Sequence, residues 1–182
     1  MIRFLKYLLH LVLSPGKGWE DISHEGQDPK MIVNEGLYPL LGIASLSAFI
    51  VYFYNDEYGL AELLQHAIII FVQYFISFFI ASFLYSIYAV KYVDGAVNEK
   101  KNHTLISYSL ALLSVITIIG NCLPMELSLV QFLPVYVALV IWKGCRYMAV
   151  KEEKTRQYMI FAVISIILPP ILLGYLFNLI IP

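Results

Sequence analysis

Apolar residues follow one another along this chain in runs far longer than a soluble helix or strand buries. Bounded by charges or turn residues, five such runs stand out: residues 37–54, 60–93, 104–123, 127–142 and 157–181. The first holds no charge over 18 positions, about 27 Å of helix and so close to one hydrocarbon core. The second covers 34 positions, about 51 Å as a continuous helix, so it must tilt or project beyond a bilayer. Its far end carries Tyr85, Tyr88 and Tyr92 on one helical face, a placement that suits rings at a headgroup boundary. The fourth run is the shortest and ends in Trp142 and Lys143, an aromatic ring beside an ammonium that can snorkel to water. The pattern predicts an all-α polytopic membrane protein with five transmembrane helices. Residues 1–182 form a single membrane domain, of which 1–36 are a cytoplasmic interfacial segment.

Composition agrees with this reading. Of the 182 residues, 60% are hydrophobic and 14% charged, against about 45–50% and about 25% in soluble domains. The net charge of −1 offers no basic field for nucleic acid. More telling is where the charges fall. All 12 Lys and Arg lie before the first run (Arg3, Lys6, Lys17, Lys30), in the second connection (Lys91, Lys100, Lys101) or in the fourth (Lys143, Arg146, Lys151, Lys154, Arg156). The alternate connections hold no Lys or Arg, and the charges in or near them are all acidic: Asp56, Glu57, Glu62 and Glu126. By the positive-inside rule the N-terminus is cytoplasmic and, after five crossings, the C-terminus is outside. The expected location is a bacterial cytoplasmic membrane.

Within the first 36 residues, Arg3, Lys6, Tyr7, His10 and Ser14 form a polar stripe on an otherwise apolar helix over 2–13. Two placements fit it: a helix lying in the membrane surface, or one packed under the bundle. A secretory signal fits poorly, because His10 interrupts the apolar run and no small-residue cleavage site follows. Ser14-Pro15 opens a second helical segment, with Trp19 and Ile22 on one face and Glu20, Asp21 and Glu25 on the other. Asp28-Pro29 repeats the start signal and predicts a helix running through Glu35 into the first span, bending at Pro39.

These residues resemble a known family. The stretch Ser14-Pro15-Gly16-Lys17-Gly18-Trp19-Glu20-Asp21-Ile22 is similar to the Pro, Trp and Ile pattern before the first span of bacterial members of the Yip family (YPT-interacting proteins). Five spans with the N-terminus inside are also that family's layout. Its eukaryotic branch carries Asp-Leu-Tyr-Gly-Pro entering the first span; the matching stretch here is Glu35-Gly36-Leu37-Tyr38-Pro39, which keeps Leu37, Tyr38 and Pro39 and displaces the glycine. The family's Gly-Tyr pair in the third span corresponds to Ser107-Tyr108, without the glycine. The resemblance implies an integral membrane protein that self-associates or pairs with other membrane proteins. Eukaryotic relatives bind Rab GTPases through a longer N-terminal region. With 36 residues there and both signatures altered, that property does not carry over.

Motifs of catalysis are sparse. Cys122 and Cys145 fall on opposite sides of the predicted membrane, and His10, His24, His66 and His103 lie in separate segments without ligand spacing. No nucleotide loop, nucleophile elbow or carboxylate pair occurs, so neither metal nor cofactor is expected and the chain reads as non-enzymatic. One constellation stands out. Glu62, His66, Gln73 and Ser77 share about 60° of arc at 100° per residue, a polar stripe reaching mid-membrane in the second span. Such groups are either interhelical glue or a solute or proton path, with His66 as the titrating group and Glu62 its partner. In the fifth span, Pro169-Pro170 removes the donors for the carbonyls of Ser165 and Ile166, as in the broken helices of transporters or in a plain packing kink. Two functions therefore stay open: an interaction or organising component whose partners are lipids, a second copy or other membrane proteins, and a small channel or transporter.

Overall fold

The computed structural model describes residues 1–54, 59–93, 98–124, 128–148 and 150–180. Every element among them is helical, and the one extended contact is an antiparallel bridge between Val93 and Val150. The chain begins with a helical hairpin, α1 (Ile2–Leu13) and α2 (Pro15–Glu25). Three faces of α1 have three fates. Phe4, Leu8 and Leu11 are buried. Arg3, Tyr7 and His10 turn to the acidic face of α2: Arg3 pairs with Glu25, the Tyr7 hydroxyl donates to Glu25 over 2.6 Å, and His10 Nδ1 lies 3.0 Å from Asp21. Ile2, Leu5, Leu9 and Leu13 remain exposed. The helix thus packs under the bundle by one face and leaves a second apolar stripe uncovered by protein. A Cβ on Gly18 would lie 2.8 Å from Leu11 N and 2.9 Å from Leu11 Cα, so the hairpin closes only around hydrogen at that position. Gly26 ends α2 with a left-handed φ of 59°, the usual helix stop.

Helix α3 runs over Pro29–Phe53. Asp28 caps it by accepting from Lys30 N over 3.2 Å. The expected bend at Pro39 is a π-helical turn over Ile32–Leu37, in which Tyr38 N–H reaches back five residues to the Val33 carbonyl. One extra residue per turn absorbs the donor that proline lacks. The last part, Ser47–Phe53, tightens into a 3-10 helix.

Helix α4 (Leu60–Tyr88) continues as a 3-10 turn through Lys91, about 48 Å in all. Its start is fixed by Glu62, whose Oε2 accepts from Gly59 N over 2.8 Å. The tyrosine row at its far end is divided between the bundle interior and the surface. Tyr85 is fully buried, and its ring and that of Tyr92 pack on Tyr158 and Phe161; only Tyr88 of the three is exposed. The aromatic partners on the last helix hold Tyr85 inside the bundle and cover part of Tyr92.

Helix α5 (Glu99–Cys122) starts five residues ahead of the apolar run, since Asn98 caps it by accepting from Lys101 N. Then come α6 (Ser128–Cys145) and α7 (Thr155–Ile180). Position 127 of the fourth run and positions 181 and 182 lie outside the described residues. Among the described residues, four helices are long and apolar enough to cross a membrane: Pro29–Phe53, Leu60–Lys91, Glu99–Cys122 and Glu152–Ile180. The fourth run of the sequence is helical but shorter, with Phe132–Cys145 as its apolar stretch.

Helix α4 packs against α3, α5 and α7, and α6 lies against α5 and α7. Small side chains at the crossings, Ala44, Ala48, Ala81, Ala111 and Ala162, are fully buried, as expected where helices approach without a hydrophobic drive between them. Cross-helix hydrogen bonds add to this: Ser45 Oγ to Ala67 O (2.6 Å), and the Tyr74 hydroxyl to Leu113 O (3.0 Å) and Thr117 Oγ1 (2.8 Å). At one end of the bundle the three basic segments meet. Lys101 Nζ donates to Tyr147 O, Lys154 Nζ to Lys91 O, and the Tyr147 hydroxyl to Gly16 O. At the other end the Tyr54 hydroxyl donates to Asn121 O, and Asn121 Nδ2 to Ser47 Oγ.

The hairpin gives a direct check. A Cβ on Gly16 would find nothing within 4 Å, whereas one on Gly18 meets the backbone of Leu11. Gly16→Ala is expected to leave the thermal midpoint in detergent unchanged or raised, by up to about 1 kcal/mol of helix propensity. Gly18→Ala is expected to lower it, by about 1–3 kcal/mol of overpacking.

Candidate functional site

Most residues of the sequence motif before and within the first spans converge at the basic end. Trp19 is buried, and its indole N–H donates to the Val140 carbonyl on α6 over 2.8 Å. Its ring meets Tyr108 of α5 edge-on, with centroids 6.1 Å apart. Phe4 of α1 stacks on Tyr108 at 4.7 Å, 19° between planes. Glycine makes room for both rings. A Cβ on Gly36 would fall 2.4 Å from the Phe4 ring, and one on Gly144 would fall 2.7 Å from Leu105 and 2.8 Å from Trp19. Ile22 and Leu37 are buried in the same cluster. Tyr38 turns away to the rings of Phe75 and Phe78 on α4 (5.5 and 6.3 Å), while Pro39 and Pro15 are half-buried. The motif is thus a joint between the N-terminal hairpin and three helices. Gly36, the displaced glycine of the motif, belongs to it, as do Phe4 and Gly144, which carry no local signal in the sequence.

The polar stripe of α4 is dispersed by comparison. Glu62 is exposed and spends its carboxylate on the Gly59 amide; it is a helix cap and not the partner of His66. His66 is exposed as well. Gln73 is half-buried, and its Oε1 lies 2.9 Å from where a Cβ on Gly174 would stand, so the amide fits over a bare stretch of α7. Ser77 and Ser165 are buried, and each returns its hydroxyl to its own helix: Ser77 Oγ to Gln73 O (2.6 Å), Ser165 Oγ to Phe161 O (2.7 Å). Pro169 and Pro170 are buried inside α7, which stays helical through both. Of the stripe, the Gln73 amide thus meets α7 across the α4–α7 contact, at Gly174, four residues beyond the double proline. The outer half, Glu62 and His66, does not join it. Beside this contact runs an open groove walled by Ile80, Leu84, Leu168, Leu172 and other apolar side chains.

The described residues include no group of three or more His, Cys, Asp or Glu able to hold a metal ion. Cys122 and Cys145 are both free, the first exposed and the second buried. No family model, curated protein or solved structure matches the chain.

The two sets of residues differ in what their loss should do. Trp19→Phe removes one hydrogen bond and is expected to cost about 1 kcal/mol, and Trp19→Ala about 3–5 kcal/mol. Ser77→Ala and Ser165→Ala remove bonds within single helices and are expected to cost less than about 1 kcal/mol each. Thermal or denaturant unfolding in detergent ranks the four variants.

Proposed function

We propose that the chain is a five-span protein of the bacterial cytoplasmic membrane, of Yip type, with its basic end and N-terminus in the cytoplasm and its C-terminus outside. The helix α6, about 27 Å over its 18 residues, serves as the fifth crossing, aided by Trp142 with Lys143 and Arg146 over its ring at the basic end. In this reading the protein is a non-enzymatic interaction or organising component. Its partners are lipids and a second copy or other membrane proteins. The observation that carries the proposal is the joint around Tyr108. The hairpin is held to α5 and α6 by rings and a buried hydrogen bond, so it presents a fixed platform at the membrane surface in place of a free tail. The intramembrane polar groups at the α4–α7 contact lend support, since they are taken up in packing.

A transporter or channel is the second reading. It draws on the hydroxyls of Tyr85, Tyr158 and Ser165, which are buried close to one another inside the bundle and have room in their valences for water or a polar solute.

Reporter fusions and flux assays separate these readings. Fusions after Lys30 and after Ile180 are expected to report opposite sides of the membrane; the same side for both contradicts five crossings. Liposomes holding the purified protein are expected to pass protons and small solutes no faster than empty ones. A flux that His66→Ala and Gln73→Ala abolish would establish the transporter instead.

A further inference from the structure

At the basic end, between α2 and the start of α5, lies a pocket of about 210 Å³. Trp19, Ile22, Ile32 and Met148 form apolar walls, and Lys100 and Lys101 stand beside them. Trp19 has already spent its N–H on Val140, so its ring offers the pocket only carbon. The Lys101 ammonium gives one N–H to Tyr147 O and has two left. Among the described residues, no carboxylate lines the pocket. The acids of the neighbouring helix lie against other partners, Glu20 beside His24, Asp21 with His10 and Glu25 with Arg3 and Tyr7. A cationic pole beside an apolar slot, at the end of the bundle where the other basic residues gather, complements a molecule with an anionic head and a greasy remainder. Two adjacent ammoniums suit the several acceptor oxygens of a phosphate.

We propose that this pocket binds a glycerol-phosphate group, with Lys100 and Lys101 on the phosphate and Trp19, Ile22 and Ile32 against the adjoining carbon chain. The group has two sources, the headgroup of an anionic phospholipid or a free phosphate ester. The inference holds whether the protein organises partners or moves a solute, and it is tested in micelles, where failure of the topology leaves it untouched.

The chain has two tryptophans, so Trp142→Phe leaves Trp19 as the sole emitter in the pocket wall. In dodecylmaltoside micelles, brominated phosphatidylglycerol is expected to quench Trp19 saturably, and brominated phosphatidylcholine only weakly. Lys100→Gln with Lys101→Gln is expected to weaken the quenching by roughly thirtyfold in apparent affinity, and arginine at both positions to retain it. Ser23 is exposed and lines the pocket, so Ser23→Phe fills it while keeping both charges and the fold; loss of quenching there supports the site even if the glutamine variant unfolds. Soluble glycerol phosphate then distinguishes the sources: displacement of the lipid shows that the phosphate ester suffices, and persistence of quenching shows that the acyl chains contribute. Equal quenching by the two lipids, or quenching that neither the lysine nor the Ser23 variants alter, overturns the proposal.

Discussion

The contact on which the rest of this structure depends is the seating of two N-terminal rings on Tyr108, Phe4 stacked and Trp19 edge-on. Without it, the hairpin would be an amphipathic segment tethered to a membrane bundle. With it, the hairpin becomes part of the bundle. Three glycines set the distances. Gly18 lets α2 fold back on α1, Gly36 lets α3 pass under Phe4, and Gly144 lets the end of α6 approach Trp19. A methyl group at any of the three meets an atom within 3 Å, so the joint tolerates little growth and specifies one arrangement.

That arrangement divides the hairpin's labour. The polar face of α1 is neutralised by α2, its inner face joins the core, and its outer face of Ile2, Leu5, Leu9 and Leu13 is left for a non-protein neighbour. At the end of the bundle where every basic segment gathers, an uncovered apolar stripe flanked by cations has the makeup of an interfacial helix. The same logic explains the long α4. Its excess over a bilayer core is not spent on tilt alone. The last turns carry Tyr85 and Tyr92 onto α7 and lead to the Val93–Val150 bridge, which ties the two basic connections together.

Much of this is legible in the sequence, and what is not has a physical reason. Runs of apolar residues locate the helices, because a membrane span is a local property of about 20 residues, although α3 and α5 begin eight and five positions ahead of their runs, at polar caps. The caps at Asp28 and Asn98 and the bend near Pro39 follow from single residues acting on their own turn. Partnerships between distant residues are not legible. Nothing near Phe4 announces Tyr108, and nothing near Gln73 announces Gly174. The Tyr85, Tyr88, Tyr92 row reads by its spacing as an interface belt, since periodicity gives a face but not what the face meets. Spacing pairs Glu62 with His66 for the same reason, although a carboxylate in the first turn of a helix has a nearer donor in its own backbone. The Pro169-Pro170 pair reads as either a break or a packing kink, and the helix stays helical through the missing donors.

The joint is tested most directly by amide hydrogen exchange across residues 2–25 in lipid nanodiscs, in the wild type and in Trp19→Ala. Seating on Tyr108 predicts slow exchange in α1 and α2 of the wild type and a loss of that protection along both helices in the variant, with the spanning helices unchanged. Protection of the hairpin that persists undiminished in Trp19→Ala would contradict it, and would mean that lipid alone holds these helices in place.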